Sequence, residues 1–143
     1  MANTLFSILI TTKNRKPDLE YTLNNLNYLI EREDVECIIC DDGSTDNTSD
    51  FIKYNYPNIQ LIENKISKGL IYSRNKLLSL TTAKYAISLD DDAHFISRNP
   101  LELIESYFKK NRQCGVLACR IYWGKHQPKE IKTAEQPNRV KGF

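Results

Sequence analysis

The chain is 143 residues long, enough for one domain with a buried core, and its composition is that of an ordinary soluble globular protein. Twenty basic residues against eighteen acidic leave a net charge of +2, too even a balance for nucleic acid as the main partner. The start, Met1-Ala2-Asn3-Thr4, lacks the basic stretch and apolar core of a signal peptide, and no apolar run approaches the roughly 20 residues of a membrane span. A cytoplasmic location is expected, with peripheral membrane association, at the cytoplasmic face, left to a missing C-terminal part.

Leu5 to Thr11 is a near-continuous apolar run, the pattern of a strand covered on both faces. The polar Thr12-Lys13-Asn14-Arg15 follows, and Pro17 suits the first turn of a helix with Asp18 and Glu20 near its positive end. Leu19, Leu23, Leu26, Leu29 and Ile30 keep helical spacing. Val35 to Cys40 reads as a second buried strand, ending at Asp41-Asp42-Gly43-Ser44-Thr45-Asp46. There Gly43 permits a tight turn, and Ser44, Thr45 or Asp46 can cap a short helix carrying Phe51 and Ile52.

Pro57-Asn58 breaks that helix, and Ile59 to Glu63 alternates as a third strand. Gly69 then precedes a helix with apolar positions Leu70, Ile71, Leu77 and Leu78, a pattern that puts Arg74 in the middle of the packed face. A guanidinium there needs a partner, either a ligand phosphate or a salt bridge to Asp42 or Asp90. Tyr85 to Leu89 is a further strand, stopping at Asp90-Asp91-Asp92-Ala93-His94. Asn99-Pro100 opens a helix through Leu101, Leu103, Ile104, Tyr107 and Phe108, and Cys114 to Cys119 is expected as a fifth strand reaching Trp123.

From residue 124 the chain turns basic and proline-punctuated, without periodicity. Residues 1–123 are therefore expected as one α/β domain and 124–143 as a loop or the start of an incomplete region. Cys37 and Cys40 sit three apart on a strand, hence on opposite faces, and all four cysteines read as buried free thiols in a reducing compartment rather than as a zinc site.

The alternation of strand and helix argues an open, mostly parallel sheet with helices on both faces, a Rossmann-like α/β fold. Ligands in such sheets bind outside the carboxyl ends of the strands, which gathers Thr11 to Asn14, Asp41 to Ser44 and Asp90 to Asp92 along one edge. Three carboxylates in a row repel one another, and their oxygens suit a hard divalent cation such as Mg²⁺ or Mn²⁺; the alternative is an acidic solvated turn. On an extended strand end Asp90 and Asp92 point the same way, toward a metal on a diphosphate, and Asp91 is left to accept from a hydroxyl. His94 as a metal ligand and Tyr122-Trp123 as an acceptor floor are the weaker readings beside a loop histidine and strand-end packing.

Four blocks together carry a resemblance: Ser7-Ile8-Leu9-Ile10-Thr11-Thr12-Lys13-Asn14, then Asp41 to Thr48, then Gly69 with Ser73-Arg74-Asn75, then Asp90-Asp91-Asp92. In that order and spacing they resemble the nucleotide-binding half of the inverting family-2 glycosyltransferases of GT-A fold, over roughly residues 4–123. The resemblance implies a nucleoside-diphosphate-sugar site, with UDP-sugar as donor and a saccharide or lipid-linked acceptor, as in polysaccharide biosynthesis. It places Thr11 near the base, Asp42 on the base (uracil) with Asp41 beside it, Arg74 near base and diphosphate, and Asp91 near ribose and sugar. It makes Asp92 the principal metal ligand, with Asp90 supporting, and Mn²⁺ or Mg²⁺ the cofactor.

Lys13 stands where the family often has an aromatic residue to stack on the base, and a lysine there contacts phosphate instead. The family's second half supplies the catalytic base and acceptor pocket, expected beyond residue 143; Glu130 and Glu135 match no motif of it. The resemblance therefore leaves two readings: a hexosyltransferase acting with inversion, or a donor-binding module that holds UDP-sugar and metal without turnover. A phospho-acceptor receiver domain is disfavoured by the Thr-Thr-Lys-Asn after the first strand, and a nucleotidyltransferase by the absence of glycine from Thr11 to Lys16.

Overall fold

The computed structural model describes residues 4–122. Strands and helices alternate as β1 (Phe6–Thr12), α1 (Lys16–Ile30), β2 (Val35–Asp41), α2 (Thr48–Asn55), β3 (Gln60–Glu63), α3 (Leu70–Leu80), β4 (Tyr85–Asp90) and α4 (Pro100–Lys110). The strands form one parallel sheet in the order β3-β2-β1-β4. Parallel neighbours need crossover helices, and these cover both faces, as the near-continuous apolar runs require.

Alternate side chains of each strand go to different cores. Phe6, Ile8 and Ile10 of β1 pack with Cys37, Ile39 and Tyr85 under Leu19, Leu23, Leu26 and Leu29 of α1, Ile52 of α2 and Leu101 of α4. On the other face Leu9, Ile38 and Cys40 meet Leu77 of α3 in a smaller cluster. Cys37 and Cys40 thus lie on opposite faces as buried free thiols, while Cys114 is only partly buried and Cys119 is exposed.

Register fixes the functional edge. Thr12 of β1 pairs with Asp41 of β2, and Thr11 pairs with Asp90 of β4, so three strands end level with one another. Main-chain bonds continue the alignment past the ends, from Asp42 N–H to the Thr12 carbonyl (2.9 Å) and from Asn64 N–H to the Asp41 carbonyl (2.9 Å).

Two expectations are corrected. Residues 114–122 form no strand, and Val116 and Ile121 are exposed. Strand propensity is realised only against a partner edge and a covering layer, and this segment pairs with nothing among the described residues. Helix α3 is also turned from its apolar pattern: Leu70, Ile71 and Leu78 are exposed, and Ser73 and Leu77 face the sheet. Ser73 is drawn inward because its hydroxyl donates to Asp42 (3.2 Å) and receives a bond from Asn64 Nδ2 (3.3 Å). Leu77→Ala should cost about 2 kcal/mol, at the low end for such a truncation because a helix exposed on its outer side can settle into the gap. Urea unfolding measures it, and a loss below about 0.5 kcal/mol would mean that Leu77 does not hold α3 to the sheet.

Candidate donor-nucleotide site

The loops after β1, β2 and β4 are laced together by their own polar groups. Asn14 takes a positive φ of 53° at the exit from β1, receives Thr45 N–H on its side-chain oxygen (2.7 Å) and donates its own N–H to Ser44 Oγ (2.9 Å). Asp46 accepts the N–H groups of Lys16 (3.1 Å) and Thr48 (3.2 Å), so one carboxylate serves the first turns of both α1 and α2. Asp41 is buried and holds the turn after β2, accepting from Ser44 N–H (2.8 Å) and from Ser49 Oγ. Gly43, at φ +78°, lies where a Cβ would meet the Ser67 nitrogen at 3.0 Å and the Asn64 carbonyl oxygen at 3.3 Å, so this turn and the loop after β3 touch backbone to backbone.

Asp42 is the hub of that second contact. Its Oδ1 accepts from Asn64 Nδ2 (2.7 Å), Lys68 N–H (2.8 Å) and Ser73 Oγ (3.2 Å), and its Oδ2 from Ser67 Oγ (2.6 Å) and Gly69 N–H (2.8 Å). Burial by itself raises this carboxyl, but the bonds from Ser67, Lys68, Asn64 and Gly69 outweigh it and hold the group well below the usual carboxylate range. Asp42, expected from the sequence at the base, therefore already carries the 64–69 loop on its lone pairs. Outside that loop an open depression of about 510 Å³ is lined by Lys65, Lys68, Tyr72 and Lys76 among others.

The three aspartates after β4 differ from one another more than their sequence suggests. The strand ends at Asp90, and Asp91 and Asp92 lie in a turn closed by Ala93 N–H on the Asp90 carbonyl (3.2 Å), so the two-residue alternation of a strand does not orient them. Asp91 is buried, accepting from Thr12 Oγ1 (2.8 Å) on one oxygen and pairing with Arg15 Nη1 (3.0 Å) through the other. Asp92 is about half-exposed and pairs with Arg15 Nη2 (2.9 Å). Asp90, also half-exposed, pairs with Arg74, whose Nε is buried without a protein partner.

Each expected site residue can now be placed. Thr11, Asp41, Asp42, Asp90, Asp91, Asp92 and Arg74 come together along the strand ends, with Lys13 exposed on the loop beside them. Thr11 Oγ1 is buried without a hydrogen-bond partner among the described residues, and so is His94 Nδ1, whose ring meets Tyr21 edge-on at 5.5 Å. Trp123, His126, Glu130 and Glu135 lie outside the described residues. Arg15 was missed. Its guanidinium spans Asp91 and Asp92 while its Nε reaches Asp18 (3.2 Å) from the first turn of α1. The Arg15 and Asp18 pair at i, i+3 was visible as a local pair, and nothing in it pointed across to β4.

Burial, first of all, raises the Asp91 carboxyl above its ordinary value, against the bond from Thr12 and the charge of Arg15. A folded-state value above the unfolded one contributes stability below about pH 3.9 that is lost as pH rises through the folded value. Asp91→Asn keeps an acceptor for Thr12 and removes the buried charge, so it should raise Tm at pH 7 by about 1–3 °C. A lowered Tm in a thermal scan would contradict this.

Among the described residues no group of three or more acidic, histidine or cysteine side chains is arranged to hold a metal ion alone. The donor chemistry nonetheless fits a hard cation. Asp90 and Asp92 present two accessible carboxylates beside buried Asp91, and Mg²⁺ and Mn²⁺ are commonly held by one or two carboxylates completed by substrate phosphate.

An open parallel sheet with acidic strand ends gathered at one carboxyl edge defines an α/β protein whose ligand site is expected at that edge. A family model for Glycosyl transferase family 2 matches residues 7–140, and the chain belongs to that family. It is 34% identical over 94 residues to the Escherichia coli UDP-Glc:alpha-D-GlcNAc-diphosphoundecaprenol beta-1,3-glucosyltransferase WfaP, covering 65% of this chain and 37% of that protein. With the poly-beta-1,6-N-acetyl-D-glucosamine synthase of Staphylococcus epidermidis it shares 29% over 114 residues, 78% of this chain and 27% of the other. The chain thus spans little more than a third of the first of these relatives and about a quarter of the second.

The fold matches S. aureus TarS 1-349 in complex with UDP-GlcNAc at a TM-score of 0.65 and 21% identity, over 76% of this chain and 32% of that one. It matches the mannosyltransferase PcManGT of Pyrobaculum calidifontis, in complex with GDP-Man and Mn²⁺, at a TM-score of 0.64 and 23% identity, over 72% and 32%. The chain is a glycosyltransferase-family protein of GT-A fold. Among the described residues no helix is long and apolar enough to cross a membrane.

Proposed function

We propose that this chain carries the donor side of a metal-dependent hexosyltransferase that moves a sugar, with inversion, from a UDP-sugar to a saccharide or lipid-linked acceptor. The observation that carries the reading is the level ending of β1, β2 and β4, with Asp42, Asp91 and Asp92 brought to one open edge. The donor named for the Escherichia coli relative supports uridine as the base, and its diphosphoundecaprenol acceptor supports a lipid-linked one. Work at the cytoplasmic face of a membrane follows from such an acceptor.

In this reading Thr11 and Asp42 meet the base. A base N–H reaching Asp42 Oδ2 takes the place of the Ser67 hydroxyl, which an exposed and adaptable residue carries. Asp91 faces the ribose and sugar, and Lys13 and Arg74 face the diphosphate, where guanidinium and ammonium groups offset phosphate charge. Asp92, supported by Asp90, holds Mn²⁺ or Mg²⁺, whose chemistry there is to stabilise negative charge developing on the leaving diphosphate.

A second reading, a donor-binding module without turnover, has its own support. Every carboxylate described at the edge is already bonded: Asp41 and Asp42 to loop donors, Asp90 to Arg74, and Asp91 and Asp92 to Arg15. Each thus already serves a loop or a guanidinium, and none stands apart as a base for the acceptor. A competition panel of UDP, GDP, UDP-glucose and GDP-mannose with Mn²⁺, followed by a donor-hydrolysis assay, tests both readings. Preference for the uridine nucleotides with sugar release supports the transferase, the same preference without release supports the module, and preference for GDP contradicts the base assignment.

A further inference from the structure

Among the described residues Arg15 is the one cation that bridges two of the three strand-end aspartates, and the periodicity of α1 does not give it that position. Its Nη1 lies 3.0 Å from Asp91 Oδ1, its Nη2 2.9 Å from Asp92 Oδ2, and its Nε 3.2 Å from Asp18 Oδ2. The side chain keeps 43% of its surface in solvent, although two of its three partners are strand-end carboxylates. Arg15 stands at the N-cap position of α1 and makes no side-chain cap bond, so its tether to the fold is backbone and its head is held by charge-assisted hydrogen bonds to carboxylates. A guanidinium fork matches carboxylate and phosphate by the same planar geometry, and it exchanges between them without changing its own charge.

Resting on the donor-site reading above, we infer that Arg15 is an exchanging counter-cation. Without donor it neutralises Asp91 and Asp92, and on donor binding it transfers to the diphosphate and leaves Asp92 for the metal. Two consequences of opposite sign follow. While Arg15 sits on Asp92, it competes with a cation for the same oxygens, so metal alone binds weakly. Once a diphosphate draws the guanidinium away, the competition ends, and metal and nucleotide favour one another's binding. Arg15 is in this sense a positioning residue for the donor phosphates and a brake on premature metal uptake.

The test is a set of calorimetric titrations on the wild-type chain and on Arg15→Ala, with Mn²⁺ alone, with UDP at saturating Mn²⁺, and with uridine. Losing exposed ion pairs to Asp92 should tighten binding of Mn²⁺ alone by roughly fivefold or more. UDP should weaken by roughly tenfold as a charge-assisted contact is lost, while uridine, which has no phosphate, should bind unchanged. Arg15→Lys, keeping the charge without the fork, should fall between on both counts.

Mn²⁺ affinity unchanged or weakened in Arg15→Ala overturns the inference, as does a parallel loss for UDP and uridine, which would mark a purely structural role. The donor-site reading fails separately. If the wild-type chain binds no Mn²⁺ even with UDP present, both fall, whereas wild-type binding with no gain in the variant overturns the exchange alone.

Discussion

Asp42→Ala should cost the fold about 4 kcal/mol, because the substitution removes the one carboxylate that five donors share, two of them on the buried side chains of Asn64 and Ser73. Asn64 Nδ2, Ser73 Oγ, the N–H groups of Lys68 and Gly69, and Ser67 Oγ all end on this one carboxylate. For a domain of this size the corresponding fall in Tm is roughly 10 °C. The effect has a pH signature. The folded-state carboxyl lies below its unfolded value, so its contribution is present in full above about pH 3.9 and is lost as pH falls from there through the folded value. The stability gap between wild type and variant, read from urea midpoints, should therefore be wide at pH 7 and narrower at pH 3. A gap that is equal at both would mean that the charge of Asp42 is not what holds the 64–69 loop.

The same variant reports on binding. If Asp42 and its loop form the base site, uridine itself should lose affinity, not only UDP. A hydrogen bond to a charged group is commonly worth about 1.5–3 kcal/mol, so uridine should bind at least tenfold more weakly. Measured at a temperature where the variant is still folded by circular dichroism, an unchanged uridine affinity would remove Asp42 from the base site.

Asp92→Asn should abolish Mn²⁺-dependent binding of UDP while leaving the fold intact. Asp92 is half-exposed, and among the described residues its only partner at hydrogen-bond distance is Arg15, itself partly exposed. Its replacement by a neutral amide removes a surface ion pair worth at most about 1 kcal/mol to the fold. The cost to a hard cation is larger, since an anionic oxygen is lost from a site with few protein ligands. The expected pattern is a Tm within about 2 °C of wild type and a UDP affinity that no longer responds to Mn²⁺. UDP binding that still tightens with Mn²⁺ would sink the assignment of Asp92, and a variant that unfolds would show that the ion pair with Arg15 is structural.

Much of the architecture was legible because its cause is local and repeated. Runs such as Leu5 to Thr11 and Val35 to Cys40 are near-continuously apolar because the sheet is covered twice, and α1 between them carries 3.6-residue spacing at Leu19, Leu23, Leu26 and Leu29. The residues after 114 failed because β-branched and aromatic character records what a strand would like, not whether an edge is there to pair with. Helix α3 failed for a different reason. Leu70, Ile71 and Leu78 make the stronger apolar pattern, but the buried carboxylate of Asp42 outbids them by pulling Ser73 inward.

The site divides along the same line. That Asp41-Asp42 and Asp90-Asp91-Asp92 share an edge follows from topology, and the blocks that resemble the family were readable in order. Their states were not. Thr12 to Asp91 and Arg15 to Asp92 are contacts across nearly eighty residues, and no spacing rule encodes them. Arg74 reached the edge as expected although the face used to place it was wrong, because Arg74 follows Ser73, which does turn inward.

The central claim is that this edge binds a uridine diphosphate through a metal. Titration of UDP into the chain by calorimetry, once with Mn²⁺ and once with all divalent metal chelated, tests it most directly. Saturable binding with Mn²⁺ that weakens at least tenfold on chelation is the expected result, within the span of a typical coupling between two ligands of one site. Equal affinity in both conditions, or no binding of UDP in either, would contradict it.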